Sequence, residues 1–181
     1  MNSLKNIWNQ FIQFTRFNQS IYVKIVNDRY ESANALIVVI VSLLAIYVPF
    51  ILNVSTANLG DVVFYGIVDG TFAWLFSTLA TWFLLSRAFN TIVEVSNILV
   101  LTGYTHGVLG GFGLLVLVNI YLDITPLVLQ IGTLSILVWM YFLLSKSLTA
   151  SLLIEKRSAN IASATNLVVL IFFSDPIRLF V

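Results

Sequence analysis

The sequence predicts an all-α membrane protein: five transmembrane helices, an N-terminal amphipathic helix in the bilayer interface, and a short amphipathic helix before the third span. Three observations carry this. Apolar runs at 35–54, 62–86, 95–122, 124–145 and 158–174 hold almost no charge, and a spanning helix needs roughly 17–25 such residues. Of the 181 residues 59% are hydrophobic and 9% charged, with mean hydropathy +0.97; soluble domains carry about 25% charged residues. Finally, Lys and Arg concentrate on alternate loops, the asymmetry that orients membrane proteins.

Residues 1–33 form the lead-in. Lys5, Asn9, Gln13 and Arg16 recur at helical spacing, with Leu4, Ile7, Trp8, Phe11 and Phe14 opposite them. This is the pattern of a helix lying in the interface or packed on the protein's own cytoplasmic face. Asn18-Gln19-Ser20 breaks it, 21–26 is ambiguous by pattern, and Asp28, Arg29 and Glu31 make a polar collar before the membrane. The first apolar run begins after residue 33 and is too long for a signal-peptide core, so it is expected to remain in the mature protein.

The membrane domain, 34–181, holds spans at about 35–54, 62–86, 102–122, 127–148 and 161–177. Pro49 is expected to kink the first, having no backbone donor. The second carries Asp69 inside it and ends at Arg87. Residues 89–100 read as the short amphipathic helix, with Asn90, Glu94 and Asn97 on one face. In the third span Gly103, Gly107 and Gly111 lie four apart, so on a straight α-helix they share a face that a neighbouring helix can approach closely. Gly113, off that face, is expected to tolerate a larger side chain better than Gly107. Pro126 suits the first turn of the fourth span. Glu155-Lys156-Arg157 forms a charged turn, and Asp175-Pro176 halts the short last span.

With the N-terminus inside, Lys5, Arg16, Lys24, Arg29, Arg87, Lys146, Lys156 and Arg157 fall on the inner side and only Arg178 on the outer. Five spans then put the N-terminus in the cytoplasm and the C-terminus outside.

Net charge is +1, which supports no nucleic-acid partner. Without cysteine there is no disulfide or thiolate chemistry. His106, the sole histidine, has no second ligand at metal spacing, so no metal site is expected, only a hydrogen-bonded structural residue near the membrane surface. No nucleophile elbow, phosphate loop or paired carboxylates point to catalysis, so no catalytic residue and no cofactor is expected. Asp69 is the most chemically loaded position. A carboxylate inside a span costs about 2.5–3.5 kcal/mol at the helix centre, so it either contacts an ion or substrate, reaches water near the outer surface, or bonds a neighbouring helix. Asp69-Gly70-Thr71-Phe72-Ala73 opens like the metal-binding signature of the CDP-alcohol phosphotransferases. Trp74 stands where that signature needs Arg, and its later aspartates are missing.

The order of features resembles the Yip1 domain family. A Trp-containing amphipathic lead-in precedes the spans. After span two come Ser86-Arg87-Ala88-Phe89, an apolar run from Val93 to Leu101, and Thr102-Gly103-Tyr104. Trp139 sits in span four, and Glu155-Lys156-Arg157-Ser158-Ala159 precedes a short last span. The resemblance covers nearly the whole chain, by pattern rather than identity, and is nearest to the short prokaryotic members. It implies a non-enzymatic five-span protein that acts by partner binding or membrane organisation, with a bacterial inner membrane favoured over ER or Golgi. Expected partners are the lipid bilayer and other membrane proteins or a homo-oligomer. Asp69, Arg87, Glu94 and Tyr104 are the candidate contact residues. The alternative is a small transporter component, a substrate-binding subunit or permease half, with Asp69 near a cavity.

Overall fold

The computed structural model describes residues 4–28, 30–53, 59–122 and 124–173. Among them every regular element is helical: α1 (Leu4–Thr15), α2 (Gln19–Val26), α3 (Glu31–Asn53), α4 (Leu59–Phe83), α5 (Val95–His106), α6 (Gly111–Leu122), α7 (Pro126–Leu152) and α8 (Lys156–Phe173). A π-helical turn, Leu84–Ala88, follows α4, and a 3-10 turn, Gly107–Gly110, joins α5 to α6. Among the described residues four stretches are long and apolar enough to cross a membrane: Glu31–Pro49, Val63–Ala88, Val95–Leu122 and Pro126–Leu152. This is the architecture of a multi-pass integral membrane protein.

The fifth expected span is helical over Lys156–Phe173 but is not one of these four. Its buried face is made of Ser158, Ala159, Ala162, Ser163, Asn166 and Leu170. These small and polar residues let α8 pack on α4 and α7 and lower its own apolarity. Asn166 Nδ2 donates to Thr81 Oγ1 at 3.1 Å, tying α8 to α4. The expected continuation to 177, with Asp175 and Pro176, lies outside the described residues.

One end of the bundle collects the polar chemistry. Glu31 at the start of α3 bonds Tyr104 of α5. Trp82, near the end of α4, donates from Nε1 to the Val93 carbonyl at 3.1 Å. The Lys146 ammonium on α7 lies 4.3 Å from the Phe17 ring centroid, a cation–π contact. Ser145 Oγ donates to Asn160 Oδ1 at 2.5 Å, closing the α7–α8 turn. The helices therefore run up and down with α1 and α2 packed across this end.

The lead-in is two helices. Phe17 at φ 59° turns the chain, and Asn18 caps α2 by accepting from the Ser20 backbone N–H. Residues 21–26, ambiguous by pattern, are thus helical. Pro49 lies inside α3, which continues to Asn53.

The separate amphipathic helix expected at 89–100 does not form. The Phe89 and Thr91 N–H groups bond back to the Leu84 and Leu85 carbonyls and close the π-turn. Asn90 then takes φ 50°, and the chain to Glu94 is not helical. Glu94 has extended φ/ψ at the N-cap of α5, so Val95 onward belongs to the third span.

The glycine ladder is also corrected. At three residues per turn, four steps through the 3-10 segment rotate Gly111 about 120° from Gly107, where an α-helix would leave it about 40° away. Gly103 abuts Ala35 and Trp74, and Gly107 abuts Phe11 and Val38, whereas Gly111 looks toward Ile136 of α7. Gly110, not Gly111, continues the α3-facing line, against Ser42 and Ala45. Gly113 lies directly on the Ala45 backbone. The reading of Gly113 as the tolerant position is therefore wrong.

Between α4 and α5, Trp74 Nε1 donates to Thr102 Oγ1 at 3.1 Å, Thr78 Oγ1 lies 2.7 Å from it, and Thr102 itself donates to the Ile98 carbonyl at 2.9 Å. Thr102→Val keeps the shape and removes this hub. Interhelical hydrogen bonds in membranes average about 0.6 kcal/mol, up to about 1.7, and the buried indole N–H loses its acceptor, so the upper value applies. The detergent-solubilised variant is expected to aggregate at a measurably lower temperature than wild type. An unchanged midpoint refutes the hub.

Candidate functional site

The candidate site is a buried polar cluster of Gln10, Glu31 and Tyr104, where α1, α3 and α5 meet. Local patterning brings each residue there. On α1, Ile7, Gln10 and Phe14 recur at three- and four-residue spacing and form its buried stripe. Gln10 is the one polar member. Glu31 opens α3, where a carboxylate faces the positive end of the helix dipole. Tyr104 lies in the fully buried stretch at the C-terminal end of α5.

Gln10 Nε2 donates to Glu31 Oε1 at 2.9 Å. The Tyr104 hydroxyl donates to Glu31 Oε2 at 2.6 Å and lies 3.2 Å from Gln10 Oε1. The shorter distance is in the range of a charge-assisted O–H···O⁻ bond. Glu31 and Tyr104 are wholly buried, and Gln10 is 7% exposed. Both carboxylate oxygens thus hold a donor. This is a lock between three helices rather than a base presented to a substrate.

Aromatic rings support it from below. Phe14 stacks tilted on Tyr104, centroids 5.5 Å apart, and meets Tyr22 edge-on at 4.8 Å. The Tyr22 hydroxyl donates to the Phe14 carbonyl at 3.2 Å, and burial pushes its pKa upward. Outside the lock, a polar cleft of about 370 Å³ between α1 and α2 is lined by Asn6, Asn9, Gln13, Lys24 and Asp28, with Gln10 at its wall. Gln10 is therefore the member that links the buried cluster to the surface.

Of the residues singled out in the sequence, only Tyr104 belongs to this cluster. Arg87 is exposed on the π-turn, and Glu94 is exposed at the α5 N-cap, accepting from Ser96 Oγ at 3.1 Å. Asp69 is half-buried on α4 and does not line that cleft. His106 is fully buried, two residues beyond Tyr104 at the C-terminal end of α5. Ser42 Oγ donates to the Val39 carbonyl at 2.8 Å and lies 2.9 Å from His106 Nδ1. His106 Nε2 has no hydrogen-bond partner among the described residues.

Gln10 and Glu31 were the residues that pattern reading missed. One signal existed for each: a glutamine on the apolar stripe of α1, and an acid immediately before a span. Among the described residues no group of three His, Cys, Asp or Glu side chains gathers to hold a metal. Comparison with protein-family models, with curated proteins and with solved structures returns no match.

Proposed function

We propose that this is a non-enzymatic membrane protein of the Yip1 type that binds partners or organises the membrane through the face built by α1, α2, the segment 84–94 and the α7–α8 turn. The observation that carries this reading is the Gln10–Glu31–Tyr104 lock. An amphipathic helix that only floats in the interface can leave it, since its binding scales with buried apolar area. Here a buried carboxylate holds α1 against two spans, while Leu4 and Trp8 remain 72% and 57% exposed. That combination suits a fixed platform bearing on lipid or on another protein. In this reading α8 is the fifth span. The N-terminus is then cytoplasmic and the C-terminus outside, as the Lys/Arg asymmetry supports, and the setting is a bacterial inner membrane.

Photo-crosslinkers placed at Asn9 and at Arg87 in native membranes test the proposal. A discrete adduct, to a second protein or to a second copy, is expected from both positions. Topology reporters fused at Met1 and after Val181 should report opposite sides. Solute flux in proteoliposomes that disappears in Asp69→Asn, with no adduct from either position, overturns the proposal in favour of a transporter component.

A further inference from the structure

A groove of about 590 Å³ opens beside α1, between α3, the 3-10 turn, α6 and α7. Its α1 wall is Leu4, Trp8 and Phe11, and its far wall reaches Val41, Leu114 and Trp139. It therefore runs from the end of the bundle that carries α1 toward the middle of the spans. The size falls within the roughly 300–1,000 Å³ of ligand sites.

The lining decides the chemistry. Only Thr15 and Ser42 bring hydroxyls to it. Thr15 Oγ1 donates to the Ile12 carbonyl at 2.9 Å, and Ser42 Oγ is committed to Val39 and His106. Apart from the indole N–H groups of Trp8 and Trp139 the lining is apolar, so a polar solute entering here would lose its water and gain little in return. An aliphatic chain loses nothing.

Charge decides the headgroup. Residues 1–27 carry Lys5, Arg16 and Lys24 and no acid. Lys5, in the first turn of α1, and Arg16, just past its end, are both exposed. At a membrane surface each such cation attracts anionic lipid by about 1 kcal/mol.

We infer that this groove binds one acyl chain of an anionic phospholipid of the leaflet in which α1 lies, with the phosphate drawn to the cationic, acid-free lead-in. The inference rests on the placement of α1 at the bilayer surface that the functional proposal also uses. Its readout is bound lipid rather than partner adducts, so the two fail separately.

The test uses the full chain in non-ionic detergent. It is incubated with dioleoyl phosphatidylglycerol or dioleoyl phosphatidylcholine, then read by native mass spectrometry and by thermal shift. Wild type is expected to retain one phosphatidylglycerol per chain and to melt higher with it than with phosphatidylcholine. Val41→Trp and Leu114→Trp fill the groove from positions 49% and 66% exposed, where a larger ring meets open space. Each is expected to keep its lipid-free melting temperature and to lose the bound lipid. Two variants are used so that misfolding of one leaves the other decisive. Lys5→Gln with Arg16→Gln should keep chain binding and weaken the preference for phosphatidylglycerol about fivefold per cation. Lipid retained in both tryptophan variants, or equal binding of the two headgroups by wild type, overturns the inference. So does a lipid-free dimer that dissociates in Val41→Trp, which would make a second copy the occupant.

Discussion

Gly113→Leu is expected to be the most damaging glycine substitution in the protein, lowering stability by about 3 kcal/mol or more, at or beyond the top of the usual overpacking range. A Cβ at Gly113 would overlap the Ala45 carbonyl oxygen, come 2.7 Å from its carbon and 3.3 Å from the Ile46 Cα. These are backbone atoms of α3, held by the helix itself, so no rotamer change relieves the clash and α6 must move away from α3. Even Gly113→Ala incurs most of the cost. Gly107→Leu is expected to be intermediate, because the atoms it meets belong to the Phe11 and Val38 side chains. Gly111→Leu meets the Ile136 Cδ1 at 3.2 Å, the far end of a flexible chain, and should melt close to wild type. Thermal aggregation of the purified single variants checks the order. If Gly111→Leu melts below Gly113→Leu, the α3–α6 contact described here is wrong.

Glu31→Leu is expected to undock α1. Removing the carboxylate deprives Gln10 Nε2 and the Tyr104 hydroxyl of their acceptor at once. Tyr104 can still turn to Gln10 Oε1, already 3.2 Å away, so the amide N–H is the group left unpaired. Such an orphan costs about 1–3 kcal/mol, larger than the roughly 0.6 kcal/mol of an average intramembrane hydrogen bond. Arg16 lies in the non-helical link between α1 and α2, so trypsin reads the docking directly. Cleavage there should accelerate in Glu31→Leu, less in Glu31→Gln, which keeps one acceptor. In Glu31→Leu combined with Tyr104→Phe the effects should be less than additive, as for residues in one network. Wild-type cleavage rates in Glu31→Leu would mean that the apolar stripe of Ile7 and Phe14 alone holds α1.

The chemically loaded residues proved a poor guide to where the polar chemistry gathers. Asp69, Arg87 and Glu94 draw attention because charge near a membrane is costly, yet they sit apart on α4, the π-turn and the α5 cap. Tyr104 stood out through its Gly-Tyr context, but its partners come from positions 10 and 31. A hydrogen bond between residues so far apart in the chain leaves no spacing to read. It exists only because α1 folds back across the end of the bundle.

What the sequence determined by itself is what depends on local composition and period. Apolar length predicted five spans, and among the described residues four stretches are long and apolar enough to cross a membrane; helical spacing over 4–15 matches the helix Leu4–Thr15. Pro126 marks a helix start through its fixed φ, and Asn18-Gln19-Ser20 the break after the lead-in helix. What only the tertiary structure decided is which faces meet. A 3-10 turn at 107–110 turns the glycine ladder from one face into two, because a change from 3.6 to 3.0 residues per turn rotates everything beyond it. Residues 89–94 are not helical: the π-turn takes up the Phe89 and Thr91 N–H groups, and Asn90 has a positive φ of 50°. Composition cannot encode such rotations: in a chain this apolar nearly every face of a helix can meet lipid, and close approach of backbones selects the one that meets a neighbour.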